Sequence, residues 1–339
     1  MRLEARARRS RAALLLAPFA AIAFTLAVTM ALVAWAGAPI GETYALLFAG
    51  AFGSRFAWTE TLTRATPLIF TGLSVAIAFR ARLWNIGAEG QLYAGALAAV
   101  AVGGLHGGTG FDLPAGVLFP AMLGASIVAG AVLLLVPTFL RTRFGVDEVV
   151  TTLLLNFIVL LAVSMLLDGP MKDPTALGWP QSVELRDDLQ LDKLVPRTRV
   201  HMGLVYALVA AAILAFVVRA TTLGFEMRAV GANARAAAFA GVPVARTMAL
   251  VAVISGGLAG LAGAIEVAGR TGYVTLDMSP GYGYSGIVIA MLAGLSPLGG
   301  DSMSRGVAVP TYIADVIVAV SLVSMVVATL FVRYRLRLR

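Results

Sequence analysis

Four ionisable residues fall inside or beside apolar runs of the sequence, where a charge is costly enough to suggest a role. They are Arg82, Glu89, Glu266 and Asp315. Carboxylates in such positions can relay protons, but a relay requires several of them on one span or one face. Each of the four stands alone, near a helix end or a glycine-rich break. Structural pairing, or placement at the membrane interface, is therefore favoured over a direct role in transport.

A second set of polar residues interrupts the apolar stretch FRARLWNIGAEGQLYAGALAAV. Asn85, Glu89 and Gln91 occur there together with three glycines, which predicts a helix start or break. The free backbone groups of such a break must face protein or water rather than lipid. Broken helices near the membrane interior are places where transporters contact their cargo. These three residues are therefore the candidate translocation path.

Several patterns of enzyme chemistry are missing or lie in the wrong context. The run GYGYSG has the spacing of a dinucleotide fingerprint, but it precedes an apolar span and follows no strand. A Walker-type phosphate loop ends in Gly-Lys-Ser/Thr, whereas Lys172 and Lys193, the two lysines of the chain, do not follow glycine. The absence of cysteine removes disulfides and thiolate chemistry. We expect no enzymatic activity, bound cofactor or metal site.

The composition identifies the class of protein that holds these residues. Hydrophobic residues make up 59% of the chain, charged residues 13%, and the mean hydropathy is +0.89. Such values indicate a polytopic membrane protein in contact with lipid. The length allows about eight to ten helices of roughly 20 residues. We predict an all-α transmembrane helical bundle, with broken or re-entrant helices, as a single domain over residues 1–339.

The net charge of +8 comes mainly from arginines clustered beside apolar runs. This distribution is typical of membrane orientation signals and excludes a nucleic-acid-binding face. Five arginines precede the first apolar run, so the amino end is expected in the cytoplasm. The predicted spans are residues 12–36, 62–79, 84–104, 115–140, 149–167 and 202–218, a glycine-rich span at 249–269, then 284–298 and 308–332. The polar segment 168–200 is then extracytoplasmic, and residues 220–246 are cytoplasmic.

The glycine-rich span has the sequence ALVAVISGGLAGLAGAIEVAG. Gly256, Gly260 and Gly263, with Ala259, are spaced so that a neighbouring helix can approach closely. We interpret this face as a helix-packing surface.

Five motifs, in this order, resemble the permease subunits of ABC importers for nucleosides and simple sugars, which are related to the ribose and branched-chain amino acid permeases. The motifs are ETLTRATPLIFTGLSVAIAFRARLWNIGAEGQ, GVDEVVTTLLLNFI, RAVGANARAAAFAGVPVART, SGGLAGLAGAIEVAG and GYGYSGIVIAMLAG. The resemblance covers almost the whole chain. It implies a permease of the bacterial-type inner membrane that translocates a nucleoside or related small polar solute. The implied partners are ABC ATPase subunits, a second homologous permease subunit, an extracytoplasmic solute-binding protein or lipoprotein, and membrane lipid.

The stretch GFEMRAVGANARAAAFAGV corresponds to the cytoplasmic coupling segment of that family, which contacts the ATPase. The implied coupling residues are Arg228, Gly231, Asn233, Ala236, Ala237 and Gly241. Residues 234–240 are expected to form a short helix, with Gly231 and Gly241 permitting turns at its two ends. Arg228 and Arg235 either pair with acidic groups of the ATPase or only keep the segment in the cytoplasm.

The sequence departs from the family after IAMLAGLSPLGG, where the family usually has one more apolar span. The span count is then odd, which leaves the basic run RYRLRLR on the outer face, against the positive-inside rule. Either a segment has been lost at residues 299–301, or residues 284–298, only 15 in number, are re-entrant. The apolar centre of that run favours a deletion, which puts transport competence in doubt.

Other functions stay open at this point. The cargo of an ABC permease with these motifs can equally be a simple sugar or a branched-chain amino acid. An ion-coupled secondary transporter would use Glu89, Glu266 or Asp315, and a structural membrane subunit would use none of them. Copurification of an ATPase that is lost when the coupling segment is changed separates the first class from the others.

Overall fold

The computed structural model describes residues 2–5, 11–35, 37, 39–104, 113–292 and 334–337. Within these ranges the chain is dominated by α-helices. The helices are α1 (Arg11–Trp35), α2 (Ile40–Phe52), α3 (Arg55–Arg80), α4 (Ala88–Gly103), α5 (Ala115–Phe144), α6 (Glu148–Asp168), α7 (Gly203–Ala220), α8 (Thr222–Ala232), α9 (Ala234–Phe239), α10 (Val244–Glu266) and α11 (Tyr282–Leu292). A π-helical segment, Val267–Thr271, extends α10.

Five helical segments of the described chain are long and apolar enough to cross a membrane. They are Arg55–Arg80, Ala115–Phe144, Glu148–Asp168, Gly203–Ala220 and Val244–Thr271. Shorter apolar helices occur at Ile22–Ala31, Ile40–Phe52 and Tyr282–Met291. Because isolated helices satisfy their own backbone hydrogen bonds, this is the architecture that lipid permits. The prediction of an all-α polytopic helical bundle is confirmed.

The entry into α3 differs from the sequence prediction. The helix begins at Arg55 rather than near residue 62, and the short helix α2 precedes it. Ser54 caps the first turn of α3 by accepting a hydrogen bond from Ala57 N at 3.0 Å. The threonines of the first turns resemble a polar loop in the sequence. In the helix they donate to backbone carbonyls, as Thr63 does to Thr59 O at 2.9 Å, so their hydroxyls can be buried.

Helix α10 lies in the centre of the bundle, packed against α3, α4 and α5. A Cβ atom at Gly256 would collide with the carbonyl of Gly130, and one at Gly260 with that of Ser126. At Gly263 it would collide with Leu92 O. The backbones of α10, α4 and α5 are therefore in direct contact, as the glycine spacing predicted.

Two ends of the bundle can be distinguished by their side chains. At the basic end, arginines follow α3 and occur in the last turns of α5 and α7. At the opposite, polar-loop end, residues 169–202 connect α6 to α7. This loop is folded onto the bundle: Leu185 N donates to Gly272 O at 2.8 Å, and Leu191 N donates to Ala268 O at 2.8 Å. Both leucines are buried.

The two chain ends form a small antiparallel ladder, β1 (Arg2–Ala5) with β2 (Tyr334–Arg337), in which Arg2 faces Arg337. This pairing places the two basic ends side by side, whereas the odd span count separates them across the membrane. The proposed deletion at residues 299–301 and the span at 308–332 lie outside the described residues.

Candidate functional site

The helix break predicted between α3 and α4 is present. Helix α3 ends at Arg80, α4 begins at Ala88, and the residues between them, 81–87, are named here the break segment. Asn85 and Gln91 exchange two amide hydrogen bonds across the start of α4. Asn85 Nδ2 donates to Gln91 Oε1, and Gln91 Nε2 donates to Asn85 Oδ1, both at 2.9 Å. Asn85 Oδ1 also accepts from Gly87 N at 3.0 Å, which fixes the turn into the helix.

The same asparagine connects the break segment to α10 and α3. Asn85 Nδ2 donates to Ser255 Oγ at 3.1 Å, and Ser255 Oγ donates to Ser74 O at 2.8 Å. Asn85 and Ser255 have no exposed surface, so these bonds replace hydration that the bundle interior cannot supply. The break segment is thus anchored to two neighbouring helices.

Helix α6 satisfies the remaining polar groups of the break. Asn156 Nδ2 donates to Ile86 O at 2.9 Å, and Asn156 Oδ1 accepts from Gly90 N at 2.8 Å. A Cβ at Gly90 would lie 2.8 Å from Asn156 Oδ1 and 3.1 Å from Asn156 Cα, so a side chain here would displace the asparagine from its hydrogen bonds. Asn156 is not among the residues predicted from the sequence for this site. Its signal was a single amide side chain within the apolar run TTLLLNFI.

Glu89 lies where two helices begin. It occupies the first turn of α4, and its Oε2 accepts a hydrogen bond at 2.6 Å from Gly283 N in the first turn of α11. Both helix N-termini carry partial positive charge, which favours a carboxylate at this point. Thr71 Oγ1 of α3 also donates to Tyr282 O at 2.9 Å, and Tyr282 is buried, so the start of α11 lies within the bundle.

The connection that leads into α11, residues 272–281, is held by Tyr93 of α4. Tyr93 Oη donates to Leu276 O and accepts from Ser279 N. Tyr93 is 1% exposed. The connection therefore packs against α4 and places the start of α11 beside Glu89.

The three path residues predicted from the sequence come together and are all buried: Asn85 is 0%, Glu89 3% and Gln91 2% exposed. The cavity beside them, bordered by Gly87, Gly90 and Gln91, measures about 10 Å³. That volume is about the minimum for one water molecule. In this conformation the polar groups of the break are bonded to one another and to neighbouring helices, and the cavity beside them is too small for a solute.

The coupling segment, residues 220–246, contains the short helix expected in it. Helix α9 spans Ala234–Phe239, and Asn233 caps it by accepting from Arg235 N at 3.0 Å and Ala236 N at 3.1 Å. Gly241 has a φ of +83°, in the left-handed region that favours glycine, so it does permit the turn after the helix.

Gly231 does not have the role predicted for it. It is not at a turn but within α8, buried, and an added Cβ would collide with Arg80 O at the end of α3. Ala237 is also turned inward, with 5% exposure. Their small size therefore serves packing within this chain. The exposed residues of α9 include Arg235, Ala236 and Phe239, of which Phe239 is 97% exposed.

The ionisable residues in or beside the apolar runs lie in different surroundings. Arg82 is exposed at the basic end, and Glu266, fully buried, forms an ion pair with Arg270. Arg270 Nη2 also donates to Met278 O at 2.9 Å, which ties the end of α10 to the connection before α11. Glu89 bonds to Gly283 instead of to either of these residues. Asp315 lies outside the described residues.

Comparison with known proteins assigns the class. Residues 57–338 match the family described as branched-chain amino acid transport system / permease component. The match covers most of the chain and includes the break segment, Glu89 and the coupling segment. The protein belongs to this permease family and is a multi-pass membrane protein.

Three relatives show the range within the family. The chain is 37% identical to the guanosine ABC transporter permease protein NupP of Bacillus subtilis, over 84% of this chain and 81% of the relative. It is 36% identical to the glucose ABC transporter permease protein TsgB13 of Haloferax volcanii, over 87% and 82%. It is 33% identical to the nucleoside ABC transporter permease protein NupB of Lactococcus lactis, over 76% and 71%. No solved structure matches the chain.

Proposed function

We propose that the chain is the permease subunit of an ABC importer whose cargo is a nucleoside. The observation that carries this proposal is the 37% identity to the guanosine permease over 84% of the chain. A second relative named for nucleosides, at 33% identity, supports the same cargo. A nucleoside offers ring nitrogens and ribose hydroxyls, which match the donors and acceptors of amide and carboxylate side chains.

A simple sugar is the second candidate cargo. The glucose permease of Haloferax volcanii is 36% identical over 87% of the chain, so overall similarity does not separate the two cargo classes. Both have hydroxyl groups that a carboxylate or amide can bind. The two candidates differ in the aromatic base, which a nucleoside has and a sugar lacks.

The proposed path for the cargo passes Asn85, Glu89 and Gln91. In the structure Asn85 and Gln91 bond to each other and Glu89 bonds to Gly283 N, so a conformation that admits cargo must break some of these hydrogen bonds. The cargo can then replace them, since its hydroxyls and nitrogens supply equivalent partners. This exchange keeps buried polar groups bonded in both conformations and thereby limits the cost of opening.

The energy source is assigned to separate ATPase subunits, because the chain has no Gly-Lys-Ser/Thr sequence of its own. The outward face of α9, with Arg235, Ala236 and Phe239, is the proposed contact for such a subunit. A second homologous permease and an extracytoplasmic solute-binding protein or lipoprotein complete the proposed complex. An ion-coupled mechanism is less favoured, because Glu266 is engaged by Arg270 and Glu89 by the start of α11.

The proposed topology follows from the distribution of arginines. We assign the basic end of the bundle to the cytoplasm and the polar-loop end to the outer face of the bacterial-type inner membrane. The amino end and the coupling segment are then cytoplasmic, and residues 168–200 are extracytoplasmic. The chain acts as one permease domain in this assignment.

Uptake by the reconstituted complex tests the function. The permease, its ATPase and its binding protein are placed in vesicles, and uptake of labelled guanosine, glucose and leucine is measured with and without ATP. We expect ATP-dependent uptake of guanosine. ATP-dependent uptake of glucose alone would replace the nucleoside with a sugar. Uptake that persists without ATP and follows an ion gradient would contradict the ABC mechanism itself.

A further inference from the structure

A cavity of about 450 Å³ opens at the basic end of the bundle, beside the coupling segment. It is formed by the break segment, the end of α5, the coupling segment and the start of α10, and is called here the basic-end cavity. Its lining residues are Ala81, Arg82, Arg141, Thr142, Val230, Ala234, Val244, Ala245 and Met248. The cavity is large enough to receive a ligand or a side chain of a partner. Its walls are mainly small apolar side chains, with two guanidinium groups.

The two arginines of the cavity differ in their bonding. Arg141 is engaged: its Nη1 pairs with Glu148 Oε1 at 2.6 Å and donates to Arg82 O at 2.5 Å. The guanidinium of Arg82 has no hydrogen-bond or ion-pair partner among the described residues. Glu148, the nearby carboxylate, is already occupied by Arg141. A group that enters the cavity therefore meets one uncompensated positive charge, which favours an anionic partner.

The backbone of Arg82 is held in an unusual conformation. Its φ is +54°, in the left-handed region that residues with a Cβ rarely adopt. The end of α3 holds it there, because Arg82 N donates to Phe79 O and Leu83 N donates to Ala78 O, both at 3.0 Å. A left-handed residue at this position is a common way to end a helix. Arg82, in this turn, lines the basic-end cavity.

The break segment lies between the coupling segment and the buried path residues. Gly231 of α8 rests on Arg80 O at one end of the segment. At the other end, Asn85 begins the network that holds Gln91 and Ser255. Arg82 and Asn85 are thus three residues apart in a segment that contacts α8 at one end and the buried network at the other.

We infer that an acidic side chain of the ATPase subunit enters the basic-end cavity and pairs with Arg82. The break segment is then a second coupling contact beside α9, joined covalently to the candidate path. This inference rests on the proposed function, and it adds a specific contact that lies outside the coupling segment. Among the side chains of a protein partner, the carboxylates of Asp and Glu supply both the charge and the acceptors that Arg82 lacks.

Protection from a thiol reagent tests this contact directly, because the chain has no cysteine of its own. Three single variants are compared: Arg82→Cys in the cavity, Phe239→Cys on the outward face of α9, and Arg143→Cys. Arg143 is a matched control, since it is an exposed arginine of the same end that does not line the cavity. The labelling rate of each is measured in nanodiscs with and without the ATPase.

We expect the ATPase to slow labelling at Arg82→Cys and Phe239→Cys by about tenfold or more, and to leave Arg143→Cys unchanged. Protection of Phe239→Cys without protection of Arg82→Cys would overturn the inference while the proposed function stands. If the ATPase does not bind and none of the three positions is protected, the proposed function is contradicted as well.

Charge reversal identifies the bonding partner. Arg82→Glu is expected to lower ATPase affinity by about tenfold, and Arg82→Lys to retain most of it, since a lysine keeps the positive charge. Replacing the cognate acidic residue of the ATPase by lysine is expected to restore binding to the Arg82→Glu variant. Equal affinity of Arg82→Glu and the unmodified chain, in protein that is monodisperse, would refute the ion pair.

Discussion

Asn85 and Gln91 bond to each other through the nitrogen and the oxygen of both side-chain amides, across the first turn of α4. The pair is buried, and Asn85 also contacts Ser255 of α10. An amide pair of this kind is complementary only when each side chain presents one donor and one acceptor to the other. The hydrogen bonds at the break therefore require an amide side chain at both positions, and a different polar side chain does not replace it.

Asn85→Asp tests this dependence. An ionised aspartate has no donor for Gln91 Oε1 or Ser255 Oγ, and we expect the variant to lose about 1–3 kcal/mol of stability together with most uptake. Gln190→Glu is the control, since it makes the same chemical change at an exposed position of the polar loop. Thermal unfolding in detergent and uptake in vesicles are the measurements. Unchanged unfolding of Asn85→Asp would contradict the structural role.

A comparison of Glu89→Gln with Glu89→Ala separates two roles of Glu89, the hydrogen bond that it accepts from Gly283 N and its negative charge. Glutamine keeps an oxygen that can accept from Gly283 N, so we expect it to preserve assembly, whereas alanine leaves that amide unpaired. On the proposed path, both variants reduce uptake by about tenfold or more, beyond any loss of assembled complex. If uptake and assembly fall in proportion in both variants, Glu89 is only a scaffold residue.

Gly231→Ala is expected to reduce the yield of folded permease. The added methyl group collides with Arg80 O, and a backbone atom cannot move aside as a flexible side chain does. Gly241→Ala is the comparison: its surroundings are open, and its φ of +83° alone costs about 1–2 kcal/mol. Ala236→Leu, on the outward face of α9, should instead leave stability intact and weaken ATP-driven uptake. Normal yield and stability of Gly231→Ala would contradict the close contact.

His201 makes the stability of the polar-loop end depend on pH. It is 1% exposed, its Nδ1 accepts from Gly203 N at 3.2 Å, and burial, with a smaller effect of Arg270, lowers its pKa from 6.5 to about 4. His201 therefore binds a proton near pH 6.5 in the unfolded chain, but only near pH 4 in the folded chain. Stability should fall as the pH is lowered through this window, by about 3 kcal/mol at most.

Comparison with His201→Gln isolates this effect, because the carboxylates that titrate in the same range are common to both proteins. We expect the melting temperature of the unmodified chain to drop more steeply between pH 7 and pH 5 than that of the variant. His106, the other histidine, lies outside the described residues, and His106→Gln serves as the control. Parallel pH profiles for all three proteins would show that His201 is not the group responsible.

The pairing of β1 with β2 predicts that both chain ends lie on the same side of the membrane. Ala5→Cys and Arg339→Cys, probed in intact cells and inverted vesicles with a membrane-impermeant reagent, should label from the cytoplasmic side. Ser304→Cys reports the intervening segment. Labelling of Arg339→Cys from outside would instead support the odd span count and the deletion at residues 299–301.

The parts of the fold that depend on one short stretch of sequence were predictable from the sequence. Apolar length predicted the spans, and the glycines and amides of the break predicted the start of α4. Helix α9 was predicted because alanines and its flanking glycine lie within one short stretch. The partners of the break were not predictable: Asn156 and Ser255 lie 66 and 170 positions from the atoms they bond, each as one polar residue in an apolar helix. Gly231 was misassigned because a glycine in sequence does not distinguish a turn from a close helix contact.

The glycine contacts of α10 limit how this permease can move. Where Gly256 meets Gly130 and Gly260 meets Gly95, the approach is so close that a shift along the helix axis would drive larger neighbouring side chains into opposing carbonyls. We therefore expect helices α4, α5 and α10 to move together as one unit. Relative motion is then expected at the edges of this unit, where α3, α6 and α11 pack against it, so that a displacement at the basic end reaches the opposite end of the bundle.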